Sequence, residues 1–384
     1  MTKLFPNYSR RAVEFVAGEQ NYLIDSDGKK YLDFTSGIGV MNLGYNHPQL
    51  NQVLEEQASK IWHTPNLYEN SLQETLAEQL AGDQDYLAYF CNSGAEANEA
   101  AIKLARKTTG KSKIITFEQS FHGRTFGAMS ATGQASIHEG FYPLLPEFVY
   151  VPYNSLEELK RELDGNTAAV MLELVQGEGG VIPADKDWIQ ELVALCESND
   201  TLVIVDEVQT GIGRTGTFYA SEAYGIEPDI ITLAKGLGNG FPVGAMLGKS
   251  KYAAAFQPGS HGSTFGGNKL GMAVAGKVTE LIRQPDFLKE TAKKGAAALS
   301  QLKENLSELP IVVAVRGCGL MIGIELSESQ LVGTAIDKLE ENGIIVLKAG
   351  SSVLRLLPPL TMTENELSEG IEKISQVLEE LADV

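Results

Sequence analysis

The run TLVIVDEVQ brings an apolar strand to Asp206, and a second apolar strand, IITLA, leads into Lys235. Strands this apolar are covered on both faces, so both charges are expected at the mouth of a crevice along one edge of a parallel sheet. A partly buried carboxylate needs a cation, and a partly buried lysine tends to lose its proton. A pyridine-containing aldehyde cofactor answers both needs, with a ring nitrogen to pair with Asp206 and a carbonyl to condense with Lys235.

Other polar residues sit where strands end. After YLAYFC, the residues Asn92, Ser93, Gly94, Ala95 and Glu96 open the helical run AEANEAAIKLAR. Free N–H groups in a first helical turn form an anion site, to which the Ser93 hydroxyl adds a donor; Ser93 as a plain N-cap is the competing reading. Phe121, His122, Gly123, Arg124 and Thr125 follow the strand KIITF. There an aromatic can stack on a planar ring and an arginine can fork onto a carboxylate, or the pair can be a core Phe and a surface Arg. His122 is read as positioning this loop. Glu173 interrupts the apolar run AAVMLELV and calls for a partner, and Glu178 lies in the glycine-rich QGEGG loop, which can approach a ligand closely. Glu207, Val208 and Gln209 continue from Asp206, and Ser263 and Thr264 lie in HGSTFGGN.

The elements that must hold these residues change character along the chain. GEQNYLIDSDGKKYLDF reads as two β-rich runs around the turn at Asp27 and Gly28. From about residue 53 helices and strands alternate: helices over 53–60, 72–80, 95–106, 156–163 and 188–197, with strands YLAYFCN, KIITF, FVYVP, AAVMLELV, TLVIVDE, IITLA and VGAMLG. This predicts a large, mainly parallel sheet wrapped by helices. A helix over 268–283 leads to helices over 291–306 and 331–342, strands VVAVRGCGLMIGIEL, GIIVLK and SSVLRLLP, and an acidic helix from Glu364. The expected division is an α/β domain over 53–275 and a smaller α+β domain from 1–52 and 276–384.

At 384 residues, 43% hydrophobic and 21% charged, the chain suits a soluble enzyme of this size. A formal net charge of −19 argues against nucleic acid or an anionic membrane as partner. Cys91, Cys196 and Cys318 show no CxxC spacing and suit a reducing compartment. The histidines show no zinc pairing, so no metal is expected. The absence of a membrane-length apolar run or a signal-peptide pattern near the start reads as cytoplasmic.

Taken together, NSGAEANEAAIKLAR, FHGRT, QGEGG, VDEVQTGIGRTG, LAKGLGNGFPVGA and STFGGN resemble the class III, or subgroup II, aminotransferases of pyridoxal-phosphate fold type I. The likeness runs from YLDFTSGIGVMNLGYNHP to LRLLPPLT, essentially the whole chain. It implies that Lys235 holds pyridoxal 5'-phosphate and later acts as the base of the proton transfer, and that Asp206 keeps the ring nitrogen protonated. It also implies that Gln209 bonds the ring hydroxyl, that Phe121 and Val208 sandwich the ring, and that Ser93, Gly94 and Ala95 hold the phosphate. Glu207 is counted with the cofactor residues. Thr264 is implied to reach the cofactor of a neighbouring subunit and Ser263 the substrate across the same interface, so the partner is a second copy in a homodimer.

The implied reaction moves the δ-amino group of N2-acetyl-L-ornithine to 2-oxoglutarate, a step of arginine biosynthesis. Arg124 would take the distant α-carboxylate of the donor and Arg355 the carboxylate next to the reacting carbon of glutamate. Glu178 would mask Arg355, as a switch or as a fixed bridge. Ile38, where ornithine aminotransferases carry tyrosine, offers a free α-amino group no partner and leans towards an acylated donor. Donors 4-aminobutyrate, ornithine, succinylornithine and succinyl-diaminopimelate stay open, as do an aminomutase, a decarboxylase and a non-catalytic cofactor-binding protein.

Overall fold

The computed structural model describes residues 2–383. Seven strands form its largest sheet, in the order Tyr86–Cys91, Gly244–Lys249, Ile230–Leu233, Leu202–Asp206, Thr167–Leu172, Lys113–Phe117 and Phe148–Val151. Only Gly244–Lys249 runs against its neighbours; the rest are parallel. The uninterrupted apolar strand sequences follow from burial on both faces. Val170, Leu172, Val203 and Val205 pack with Trp188 and Leu192 on one side. Their chain neighbours Ala169, Met171, Leu202 and Ile204 pack with Ala101 and Leu104 on the other. Each fully buried aliphatic side chain of this kind contributes about 1.5–3 kcal/mol.

The helices begin where local chemistry allows. Ser93 caps Gly94–Thr109 by accepting from the Glu96 N–H, and left-handed Gly110 ends it. Asp185 caps Lys186–Ser198 through the Trp188 N–H. Helix Pro285–Leu306 begins before the expected residue 291, because proline fits the first helical turn.

Apart from the two-stranded pair Val175–Gln176 and Ile182–Pro183, the remaining strands form two smaller sheets. The N-terminal region contains three strands rather than two: Phe15–Glu19 precedes Tyr22–Asp25 and Lys30–Asp33. The run GIIVLK is not one strand. Ile344–Ile345 pairs in parallel with the first of these sheets, next to Lys30–Asp33, whereas Leu347–Ala349 pairs antiparallel with Val353–Leu356 in the other. Buried Val346 marks the corner between them. The second sheet also holds Val312–Cys318 and Met321–Leu326. Leu32 and Phe34 share an apolar cluster with Ile322, Leu339 and Ile371, which ties the N-terminal strands to the C-terminal layer.

A tight turn at Ser36–Gly39 was not foreseen. Ser36, Gly37, Ile38 and Gly39 all have positive φ, of 42°, 60°, 70° and 74°. For a β-branched residue such as Ile38 this conformation is strained. Tertiary bonds impose it: the Ser36 hydroxyl donates to the Leu357 carbonyl and accepts from Arg214 Nη2.

Candidate active site

The carboxyl ends of the parallel strands open into a cavity of about 420 Å³, lined by Ser93, Gly94, Ala95, Phe121, Arg124, Glu178, Asp206, Val208, Gln209 and Lys235 among others. Asp206 closes its strand and is paired in register with Thr232, three residues before Lys235. Topology alone therefore brings the two charges to one mouth. Lys235 is partly buried at φ 43°, at the start of a 3-10 turn. Burial lowers its ammonium pKa, with Glu178 opposing and Arg355 assisting.

Asp206 is almost fully buried, and its oxygens accept from several donors. Oδ2 takes Asn98 Nδ2 and His122 Nδ1, each at 2.8 Å, while Oδ1 takes the Val208 N–H at 3.0 Å. His122 thus meets Asp206 directly. Glu173 accepts from the Phe121 and Gly177 N–H groups, so its partners are backbone amides. Burial pushes its carboxyl up to about 7 against the pull of nearby His122.

Behind Glu178 and Gln209, which line the cavity, Arg355 in strand Val353–Leu356 donates through Nη1 to Glu178 Oε1 at 2.6 Å and to Gln209 Oε1 at 3.3 Å. Burial alone would raise the Glu178 carboxyl, but Arg355 outweighs it and holds the pKa below its ordinary value. Arg355 Nε is buried with no protein partner. A Cβ at Gly177 would lie 2.1 Å from the Gln209 amide oxygen, so only glycine admits that side chain. Arg124 is exposed at the rim with its guanidinium carbon 5.6 Å from the Phe121 ring centroid. Among the described residues it makes no ion pair.

The arrangement corrects one expectation. Glu207 does not line the cavity; its carboxylate accepts from the Ala220 and Ser221 N–H groups at 2.7 and 2.8 Å, capping the helix Ala220–Tyr224. Successive residues at a strand end point to opposite sides, so Asp206 and Glu207 cannot both face the cofactor. Ser263 and Thr264 also lie outside the cavity, beside a separate opening. Ser263 Oγ accepts from Asn92 Nδ2, and Asn92 does line the cavity. Thr264 is exposed. Asn98 was missed, although an Asn within the alanine-rich run AEANEAA was a visible sign of a polar contact inside an otherwise apolar face.

The donor set suits pyridoxal phosphate. The N–H groups of a capped helix start would suit a phosphate, with Ser93 Oγ accepting from the Glu96 N–H while its hydrogen stays free to donate. A Cβ at Gly94 would fall 2.8 Å from Val208 Cγ1, so the cradle is closed to larger residues.

The class-III aminotransferase family model matches residues 6–378, and the chain belongs to this family. Its cofactor is pyridoxal phosphate and its fold is that of the pyridoxal-phosphate aminotransferases. An acetylornithine aminotransferase of Streptococcus mutans is 55% identical over 99% of this chain and its own full length. The structure of N-acetylornithine aminotransferase from Stenotrophomonas maltophilia matches with a TM-score of 0.85 at 35% identity, covering 97% of each chain. Ornithine aminotransferase from Toxoplasma gondii matches with a TM-score of 0.95 at 30% identity, covering 99% of this chain and 93% of its own.

Proposed function

We propose that this protein transfers the δ-amino group of N2-acetyl-L-ornithine to 2-oxoglutarate, giving N-acetyl-L-glutamate 5-semialdehyde and L-glutamate in arginine biosynthesis. The observation that carries the reading is a cavity with Arg124 open at its rim and Glu178 in its lining, where Glu178 pairs with Arg355 buried behind it. A donor whose carboxylate lies far from its reacting amine meets Arg124, and a donor whose carboxylate adjoins the amine meets Arg355. The 55% identity with an acetylornithine aminotransferase supports the choice of donor.

Bound pyridoxal phosphate supplies a carbonyl that takes up the amino group and a ring that accepts the electron pair left when the substrate C–H bond breaks. Ser93, Gly94 and Ala95 would hold the phosphate through N–H and hydroxyl donors. Phe121 and Val208 would confine the ring, Gln209 would serve its hydroxyl and Asp206 its nitrogen, all four lining the cavity. Lys235 would hold the cofactor's carbonyl carbon, and its Nζ would take the proton from the substrate carbon that bears the amine; burial lowers its pKa and leaves a larger neutral fraction for this task. Glu178 keeps Arg355 neutralised beside the apolar methylenes of the first donor and moves aside for the carboxylate of the second. Ile38 lies outside the cavity lining, 44% exposed, and its leaning towards an acylated donor rests on the family resemblance.

We further infer a homodimer that shares its sites. Leu67 and Tyr68 are 89% and 72% exposed, and Trp62 and Phe265 are 65% and 63% exposed, more large apolar surface than a monomer tends to show in one region. Leu67 and Leu87 line the same opening as Ser263 and Thr264, so a partner seated there would carry Thr264 towards its own cofactor. The division at 53–275 follows the same logic, with the cofactor residues on the large sheet and Arg355 on the smaller one. The free cysteines suit the cytoplasm.

Rates with acetylornithine, ornithine, succinylornithine and 4-aminobutyrate at matched 2-oxoglutarate test the assignment. Acetylornithine is expected to lead. A strong preference for 4-aminobutyrate would overturn the donor, and absence of net amino transfer to 2-oxoglutarate would favour a mutase, a decarboxylase or a non-catalytic protein.

A further inference from the structure

Among the buried residues of the Gly94–Thr109 helix, Asn98 is the one polar side chain; the others are alanine, isoleucine and leucine. It is 1% exposed, and its amide bonds three other segments. Oδ1 accepts from Thr232 Oγ1 at 2.7 Å, and Nδ2 donates to the His122 carbonyl at 2.7 Å and to Asp206 Oδ2 at 2.8 Å. One carboxamide therefore joins the phosphate-side helix, the loop with Phe121 and Arg124, the strand ending in Asp206, and the strand that leads into Lys235.

The chemistry of these partners fixes the amide's orientation. A backbone carbonyl can only accept, so the –NH2 end must face His122 O and, with it, Asp206. An –NH2 group can only donate, so Asp206 Oδ2 is the acceptor of this contact. His122 Nδ1 occupies the same oxygen, and the Val208 N–H approaches the other. Asp206 Oδ1 is left with a single backbone donor in a carboxylate that lines the cavity.

We propose that Asn98 is a positioning residue for the cofactor's ring nitrogen: its carboxamide orients Asp206 and keeps it an acceptor, so that Asp206 meets a protonated ring nitrogen. This rests on the reading of the cavity as a pyridoxal-phosphate site. A merely structural Asn98 would tie four segments together with no preference for the ring's nitrogen.

The test uses cofactor-stripped wild type, Asn98→Ala and Asn98→Asp, titrated with pyridoxal phosphate and with an analogue carrying CH in place of the ring nitrogen. Binding is read from absorbance, and thermal unfolding of the stripped proteins serves as a control. Asn98→Ala is expected to weaken pyridoxal phosphate about tenfold, the worth of a hydrogen bond to a charged group, while changing analogue affinity by less than about threefold. Asn98→Asp, which sets a second carboxylate against Asp206, is expected to weaken pyridoxal phosphate about a hundredfold with the same selectivity. Equal weakening of both ligands, or unchanged affinity for pyridoxal phosphate, overturns the proposal. If Asn98→Asp does not fold, Asn98→Ala makes the same comparison. Failure of wild type to bind either ligand would instead remove the cofactor reading on which the proposal rests.

Discussion

Glu178→Gln tests the substrate side of the cavity. Arg355 is 2% exposed and Glu178 is about a third exposed, with 2.6 Å between Nη1 and Oε1. Two charges about 4 Å apart attract by about 4 kcal/mol at an effective dielectric constant of 20. Solvent at the Glu178 end screens part of that, and the amide of glutamine still offers an oxygen to Nη1. The charge-assisted component that disappears is then about 1–2 kcal/mol, or about tenfold in an equilibrium. A weaker mask leaves Arg355 readier for the carboxylate of glutamate and more costly beside the methylenes of acetylornithine. Glu178→Gln is therefore expected to raise the apparent affinity for glutamate about tenfold and to lower that for acetylornithine by up to a similar factor. Single-turnover half-reactions, each substrate alone with the cofactor absorbance as readout, separate the two effects. An unchanged ratio of the two half-reactions, together with a lowered melting temperature, would show a fixed bridge and refute the switch.

Three further outcomes follow from other parts of the structure. Burial pushes the Glu207 carboxyl up to about 7, above its unfolded value, so the folded state holds a proton that the unfolded chain has released; stability from this group falls as pH rises from about 4.5 to 7. The loss is about 3 kcal/mol, and Glu207→Gln is expected to flatten that part of the pH–stability curve in denaturant titrations, whereas an unaltered slope would contradict it. Thr264→Ala and Lys235→Ala chains, each inactive alone, are expected to recover about a quarter of wild-type activity when refolded together, because half of the dimers are hybrids with one intact site; no recovery would mean that Thr264 serves its own chain. Ile38→Asn, at φ 70° and ψ 47°, is expected to raise stability by about 1 kcal/mol, since asparagine tolerates this region and Ile38 is 44% exposed; calorimetry on the cofactor-bound protein reads the difference.

The sequence disclosed features set by periodicity and by strand ends. Apolar runs ending in Asp206 and Lys235 determined both the parallel sheet and the mouth of the cavity, because burial on two faces leaves strand ends as the place for charge. Glu207 was misplaced although alternation along the strand contained the answer. The Ser36–Gly39 turn was not legible, since local preference argues against positive φ at Ser36 and Ile38 and only Arg214 and Leu357, far off in sequence, impose it. Nor could the split of GIIVLK be seen, because each half alone reads as a strand and the corner at Val346 depends on where two sheets lie. Ser263 and Thr264 lie outside the cavity, and the roles proposed for them depend on a second chain. Asn98 called for knowledge of three segments at once.

The cavity separates chemistry from selectivity in a way that follows from its supports. Asp206, Lys235, Asn98 and the helix start at Ser93, Gly94 and Ala95 all belong to the large sheet or its helix, and the Asp206–Lys235 spacing is set by strand register. Arg355 instead enters from the smaller antiparallel sheet. The seam between them is held by Arg214, buried and without a carboxylate partner, which donates to the Leu320 and Pro358 carbonyls, to Ser36 Oγ and to Asn42 Oδ1. Burial lowers its pKa to about 9, a sign of how much solvation it has given up to join these segments. A shift at this seam would move Arg355 relative to Glu178 and leave the Asp206–Lys235 relation to strand register. Substitutions along the seam should therefore alter the choice between the two amino donors before they alter proton transfer, and those around Asn98 should do the reverse.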